Sequence, residues 1–465
     1  MTPPDSEAPE TSTAVTQRLA DWVAGLSLED VPSPVLDHAK TCILDALSCG
    51  IFGAAQEWSR IAAAVASEAS AGGKATLFAA PTRVAPADAA LANGTAIHGY
   101  EIDDVHVASS LHPAAAILPA ALALTEARDG DGARLLLALT AGYEVGIRTG
   151  ICAGVRHSTS GYHVTGTAGV VGAAAAGAKA LSLDTERTLH AIAVGATQAS
   201  GLYAARIDAM AKRFHAGRAA QGGVIAALLA EKGFTGSRHA LEAPFGGFFS
   251  TLQGEHAPET MLADLGERWE TVRVGFKVYS ACASAHTTVD AVLELRDRGL
   301  RADNLQSLAI HMSRKGWSNV GWPYVPGEVV SAQMNGSYAA AVALLDGDAF
   351  LDQYRAERLA DPAILALIRR IDIRHDPELD KGGAAKRHAI RVEARLSDGC
   401  SLATAIEQRL GSAERPIPIE RIHRKFRSLT EGRLSSAECD AAIEAVQTLE
   451  RPGVLSRLLE ILACP

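Results

Sequence analysis

Five short stretches of this chain carry side chains able to move protons or hold anions. The densest runs from His98 to His112 and holds Glu101, Asp103, Asp104 and His106 between them. Three carboxylates and three histidines within fifteen residues suit an acid–base or substrate-binding wall. They also suit helix capping, with Asp103 or Asp104 as the cap. The second stretch, His157 to Thr167, leads through His163 into the small-residue run GTAGVVGAAAAGAK. A helix N-terminus preceded by Ser, Thr and Gly favours anions because its first N–H groups point outward. The glycines follow a G-x-x-G-x-x-G spacing with no G-K-[ST], so neither a P-loop nor a dinucleotide fingerprint is present. His163 reads equally well as a buried, satisfied histidine. The third stretch places Lys212, His215 and Arg218 at i, i+3 and i+6, one face of a helix. That basic stripe fits a carboxylate-bearing substrate or an exposed helix end complementing the dipole. The fourth runs from Lys277 through Cys282 to His286, and the fifth from Gln333 to Tyr338. No H-E-x-x-H, EF-hand loop or C-x-x-C points to a metal, and no G-x-S-x-G points to a serine nucleophile. Cys282 is a nucleophile candidate, though Cys more often serves as a small core residue. Histidine, lysine, tyrosine and carboxylate together suit proton abstraction beside a carboxylate or carbonyl, with cations stabilising the enolate-like charge.

The 465 residues include 44 Lys and Arg against 53 Asp and Glu, a net charge of −9. That balance argues against a general nucleic-acid binder and leaves room for a local basic pocket. Hydrophobic residues make up 48% and charged ones 21%, the composition of a folded globular chain. Residues 1–16 are polar, acidic and proline-bearing, and read as a disordered leader without a secretory pattern. No membrane span is expected, since the least charged region, 105–125, is broken by His112, Pro113 and Pro119. Seven scattered cysteines suggest a reduced, cytoplasmic protein.

Helical periodicity covers most of 17–270, with segments expected at 14–26, 35–52, 58–69, 113–129, 132–149, 167–180, 184–200 and 217–232. Pro86 suits the first turn of a further helix. The texture changes near Trp269. WETVRVGFKVYSA alternates as a strand does, and so do 305–312 and 390–396. Helices are expected at 284–298, 331–345, 361–371 and again over 435–462. The chain thus reads as mainly α, a large all-helical domain (17–269 and 404–465) with an inserted smaller α+β lid domain (270–403).

Five motifs in order resemble the MmgE/PrpD family. They are LADWVAGLSLEDVPSPVLDHAKTCILDALSCGIFGA, NGTAIHGYEIDD with LHPAAAILPAALAL, GYHVTGTAGVVGAAAAGAKAL, AKRFHAGRAAQGGVIAALLAEKGFTG and FKVYSACASAHTTVDAVLEL. The family includes 2-methylcitrate dehydratase, cis-aconitate decarboxylase and iminodisuccinate epimerase. The resemblance implies a helical domain built from both chain ends, an α+β lid, a site between them, a homodimer, and catalysis without metal or other cofactor. Carried over by motif, it implies His163, Lys212, His112 and Tyr338 as catalytic. Glu101, Asp104, His215 and His286 then bind substrate, and Arg218 of the basic stripe and Lys277 of the fourth stretch are expected to join them. A neutral Lys212 acting as base would need burial or neighbouring cations such as Arg213 or Arg218. Glu101 or Asp104 would orient a histidine. The chain departs from the family in three places. Glu101 replaces the usual Asp of D-F-D-D, His106 lies in a longer spacer, and Ser337 replaces the proline before Tyr338. These departures favour epimerisation of an iminodisuccinate-like dicarboxylate over the dehydratase and decarboxylase alternatives. A non-catalytic helical interaction protein that has kept the fold, and a cysteine-dependent enzyme using Cys282, are the remaining alternatives.

Overall fold

The computed structural model describes residues 14–70, 72–206, 210–383 and 386–463. The expected leader therefore lies outside the described residues up to position 13, and helix has already begun at Val15. In chain order the elements begin with α1 (Val15–Gly25), α2 (Ser33–Ala54), α3 (Glu57–Ala69), β1 (Ala75–Thr76), β2 (Arg83–Val84) and α4 (Pro86–Ile97). Next come α5 (Pro113–Ala127), α6 (Gly132–Thr159), α7 (Val164–Ala180), α8 (Thr185–Ala196), α9 (Ala211–Glu231) and the single turn α10 (Phe248–Thr251). Then follow α11 (Ala283–Asp297), β3 (Leu305–Met312), α12 (Arg314–Val320), α13 (Val329–Gln333), α14 (Gly336–Asp346) and α15 (Pro362–Ile368). The chain ends with β4 (Ile371–His375), α16 (Pro377–Asp380), β5 (Ile390–Leu396), β6 (Ser401–Ile406), α17 (Ile419–Thr430), α18 (Ser436–Gln447) and α19 (Val454–Leu462).

The protein is mainly helical with small sheets. Two hydrophobic cores organise it. The larger takes side chains from Val15 to Phe276 and again from Ile422 to Leu462. The smaller takes Val278 to Ile406. Pro86 and Pro113 occupy first-turn positions of α4 and α5, where the missing N–H costs nothing. α6 is long and apolar enough to cross a bilayer, which the sequence reading did not anticipate, but 89% of its apolar window is buried inside the protein. In the smaller core a four-stranded sheet has the order β4-β3-β5-β6. β3 runs parallel to β4 and antiparallel to β5, with Met312 opposite Ile390.

Several expected elements differ, among them the helix expected over 435–462, which is split into α18 and α19. Residues 269–281 form no strand; a 3-10 turn at Thr271–Arg273 precedes a single bridge between Gly275 and Val105. Val272 and Arg273 are exposed, but from Val274 to Ala281 the segment is buried as it crosses from one core to the other, so its apolar pattern needs no ladder. The helix expected over 331–345 breaks into α13 and α14. Asn335 accepts a hydrogen bond from Tyr338 N and caps the second helix. α9 starts six residues before position 217, so Lys212 and His215 are helical and Gly217 is interior.

Candidate active site

Close approach of α4 and α9 brings the first and third polar stretches together. A Cβ on Gly217 would stand 2.2 Å from Leu91 O, so only glycine lets these backbones meet there. Just past α4, the loop 98–112 carries the carboxylates and histidines. It is pinned by a reciprocal pair, Val105 N to Gly275 O at 2.9 Å and Gly275 N to Val105 O at 3.0 Å. Two of its non-glycine residues adopt left-handed backbone, Glu101 (φ 57°) and Ser110 (φ 60°). Such residues cost about 1–3 kcal/mol each and persist where the surroundings over-determine them.

Glu101 lies buried between two lysines. One of its oxygens pairs with Lys212 and the other takes Lys277 Nζ at 3.0 Å. Burial raises the carboxyl's pKa, but Lys212 and Lys277 outweigh it and hold the group well below its ordinary range. Asp103 is fully buried and shared more widely. Its Oδ1 takes Lys277 at 3.3 Å, and its Oδ2 stands 2.6 Å from His98 Nδ1 and 3.2 Å from His112 Nδ1. Burial again works against ionisation and is outweighed, here by His112, His98 and Lys277. On the far side His98 stacks on His163 with ring centroids 5.5 Å apart. His163 Nδ1 is 3.0 Å from His215 Nδ1, so one of these nitrogens donates and the other accepts. Burial lowers His98 to about 3 despite Asp103. Burial, with His98 and Lys212 nearby, puts His163 well below its usual value. These imidazoles are neutral at neutral pH. Among the described residues, ligand atoms of His98, Asp103 and His112 lie within 4.8 Å of one another. The same arrangement is that of one carboxylate orienting two imidazoles, and His98 Nδ1 already spends its bond on Asp103.

A cavity opens against this network. Glu101, His112, His163 and Lys212 line it. Lys277 and His215 do not reach it; the first braces Glu101 and Asp103 from behind, the second holds His163. Four expected site residues lie elsewhere. Asp104 caps α5, accepting from Ala114 N at 3.2 Å and from Tyr143 OH at 3.1 Å. Arg218 donates to Gln221 at 2.7 Å, two turns along α9 from Lys212. His286 is buried against Tyr279 and bonds the Ala281 carbonyl region at 3.2 Å. Tyr338 is enclosed by Tyr324 and Tyr354 and donates to Gln353 O at 2.7 Å. The expected cationic neighbours of Lys212 are absent from its contacts too. Its close partner is Glu101, while Arg213 turns to Gly99 O and the Trp58 ring. The additional His106 faces Glu270 at 3.3 Å.

The opposite wall is formed by Cys282, Ser284, Lys315, Asn319, Arg387 and His388. Sequence reasoning reached it only through the fourth stretch, which holds Cys282 and Ser284, and missed Lys315, Asn319, Arg387 and His388. A signal existed. Lys315 follows β3 and Arg387 precedes β5; because Met312 pairs with Ile390, both emerge at one end of the sheet.

The MmgE/PrpD N-terminal domain matches residues 17–260, and the MmgE/PrpD C-terminal domain matches residues 279–451. The chain belongs to the MmgE/PrpD family. Across 97% of its length it is 31% identical to a cis-aconitate decarboxylase-like protein, oryM, of Aspergillus oryzae, covering 97% of that protein. It is 31% identical to the cis-aconitate decarboxylase of Aspergillus terreus, covering 96% of it, and 27% identical to that of Homo sapiens, covering 95%. Family and relatives indicate an enzyme, and they favour the lyase alternative; none of these relatives supports the epimerase reading drawn from the departures.

Proposed function

We propose that this MmgE/PrpD chain is a lyase that decarboxylates a small tricarboxylate of the cis-aconitate type. One observation carries the reading. The cavity is lined by three cations (Lys212, Lys315, Arg387) and three histidines (His112, His163, His388) against one carboxylate, Glu101, which two lysines already flank. Such a pocket attracts a polyanion. The named activity of relatives matching almost the whole chain supplies the substrate class.

The chemistry needs little more. In a cis-aconitate-like acid the double bond is conjugated to a carboxylate, so the substrate carries its own electron sink. The bond to the departing carboxylate breaks and CO2 leaves. Its electron pair becomes a new double bond, and the old π pair moves to the carbon beside the remaining conjugated carboxylate. That carbon takes one proton. Lys212, ion-paired with Glu101, is the donor in this scheme. Neutral His163, hydrogen-bonded to His215, offers a route for replacing the proton. Side chains alone suffice. The smaller core supplies the second wall and serves as a lid, excluding water while the carbanion-like charge exists.

Proton NMR in D2O with cis-aconitate, iminodisuccinate and 2-methylcitrate tests this. The expected result is loss of one carboxylate from cis-aconitate, a new terminal-alkene pair of signals and one deuterium per product. Exchange at an α-carbon of iminodisuccinate with no carboxylate lost would make the enzyme an epimerase. A new alkene from 2-methylcitrate would make it a dehydratase.

A further inference from the structure

A lysine from the far end of the chain reaches the back of the site without lining the cavity. Lys425, on α17, lies buried against Asp45 of α2, whose side chain is fully buried. Its Nζ donates to Asp45 Oδ1 at 2.6 Å, to Ile102 O at 2.5 Å and to Lys277 O at 3.0 Å. An ammonium has three donors, so all of them are spent inside the protein. Lys425 is not among the side chains that line the cavity. The two carbonyls it gathers belong to the segments that carry the buried wall. Ile102 lies between Glu101 and Asp103, and Lys277 is the residue whose own ammonium pairs with both. The Cys49 thiol, a weak donor, also stands 3.5 Å from Ile102 O. The same two segments are joined once more, by the backbone pair between Val105 and Gly275. A single joint lets two lengths of chain pivot about it; two joints fix their relative position. Glu101, just before Ile102, holds a left-handed backbone with φ 57°, a conformation that persists where the surroundings over-determine it.

We propose that Lys425 is a positioning residue for the site. Its ammonium is the second joint, and it holds the Glu101–Asp103 segment against Lys277 so that Glu101 meets Lys212, and Asp103 meets His112, in one geometry. This deepens the lyase reading and rests on it for the nature of the substrate. Asp45 supplies the counter-charge without which a buried ammonium is costly. Without Lys425 the segment keeps its carboxylates and its joint at Val105, but Glu101 samples more than one placement against Lys212. Misplacement by about an ångström costs up to about 10²-fold in rate. The effect falls on rate and not on affinity, because every donor of Lys425 is turned to the protein.

The test compares Asp45→Asn with Asp45→Asn/Lys425→Met in the full chain. It reads steady-state turnover of cis-aconitate and hydrogen–deuterium exchange of the 98–112 loop. Removing both charges leaves neither one buried without its partner, whereas Lys425→Met alone would strand Asp45. Asp45→Asn keeps the amine on both carbonyls and should leave kcat nearly unchanged. The double variant should lower kcat about tenfold with KM within about twofold. Its 98–112 loop should exchange about tenfold faster while α18 keeps its rates. Asp45→Asn/Lys425→Gln retains two amide donors and should lose less on both readouts. Glu101→Asp should cost less in the double variant than in the unaltered protein, because both changes spoil one placement. Lys40→Met breaks a different tie of α2, to Gln447 O and Glu450, and should change Tm but neither kcat nor loop exchange. An unchanged kcat in the double variant overturns the proposal. So do strictly additive effects with Glu101→Asp, or faster exchange spread over the whole molecule. Faster exchange confined to the loop, with no cis-aconitate turnover by the unaltered protein, would instead overturn the lyase reading and leave the joint standing.

Discussion

The two walls of the cavity are built on opposite electrostatic principles. On the larger core, Glu101 and Asp103 lie buried among Lys212, Lys277, His98 and His112, each charge answered within about one hydrogen-bond length. On the smaller core, Lys315, Arg387 and His388 line the cavity, with no carboxylate beside them among the described residues of that wall. Buried, paired charges are held in one geometry, and breaking a pair leaves its partner costly. Lys315 donates to Ser158 Oγ, and Arg387 to Ser110 Oγ and Ala108 O, across to the larger core. The first arrangement suits chemistry, which needs fixed positions; the second suits recognition of an anion that arrives and leaves.

Substitutions can break this contrast, beginning where the effect is largest. Lys212→Ala and His163→Ala should each lower kcat about 10²–10⁴-fold, the range for a positioned proton carrier, in steady-state assays with cis-aconitate. Glu101→Asp withdraws the carboxylate by over an ångström and should cost about 10²-fold in kcat/KM. If the family's usual Asp instead raises activity here, the buried wall is less exactingly placed than its contacts imply. Acid should act next. His98 and His163 have folded pKa values below their ordinary 6.5, so below pH 6.5 the unfolded chain binds more protons and stability falls as pH falls. Glu101, depressed below 4.5, and Asp103, depressed below 3.8, contribute stability present above those values and lost beneath them. Tm should therefore decline as pH drops below 6.5, and His98→Gln should flatten the upper part of that decline. The smallest effect belongs to Arg218→Ala. Its side chain faces Gln221 and not the cavity, so kcat/KM should stay within about twofold.

Much of the buried wall was legible in the sequence. Acidic and imidazole groups crowded beside glycines rarely serve only as a solvated surface, and the resemblance placed Glu101, His112, His163 and Lys212 by motif. The helices were legible too, because Pro86 and Pro113 mark their starts and small residues repeat with helical spacing. Arg218 lies off the cavity because i and i+6 share a face only loosely. Tyr338 and His286 lie off the cavity because a motif gives position along the chain, while packing decides what faces where: Tyr338 stacks with Tyr324 and Tyr354, and His286 with Tyr279. Asp104 took the capping role that the sequence had left open. Lys315 and Arg387 were hidden for a different reason. In sequence they are unremarkable charges at strand ends, 72 positions apart, and only the β3–β5 register makes them neighbours.

Steady-state kinetics of Lys212→Ala and Lys315→Met, measured side by side with cis-aconitate, test the division of labour most directly. Lys212→Ala should lower kcat about 10²-fold or more with little change in KM. Lys315→Met should raise KM about tenfold with kcat nearly preserved. Loss of the same constant to the same extent in both variants would contradict it, and the two walls would then be one.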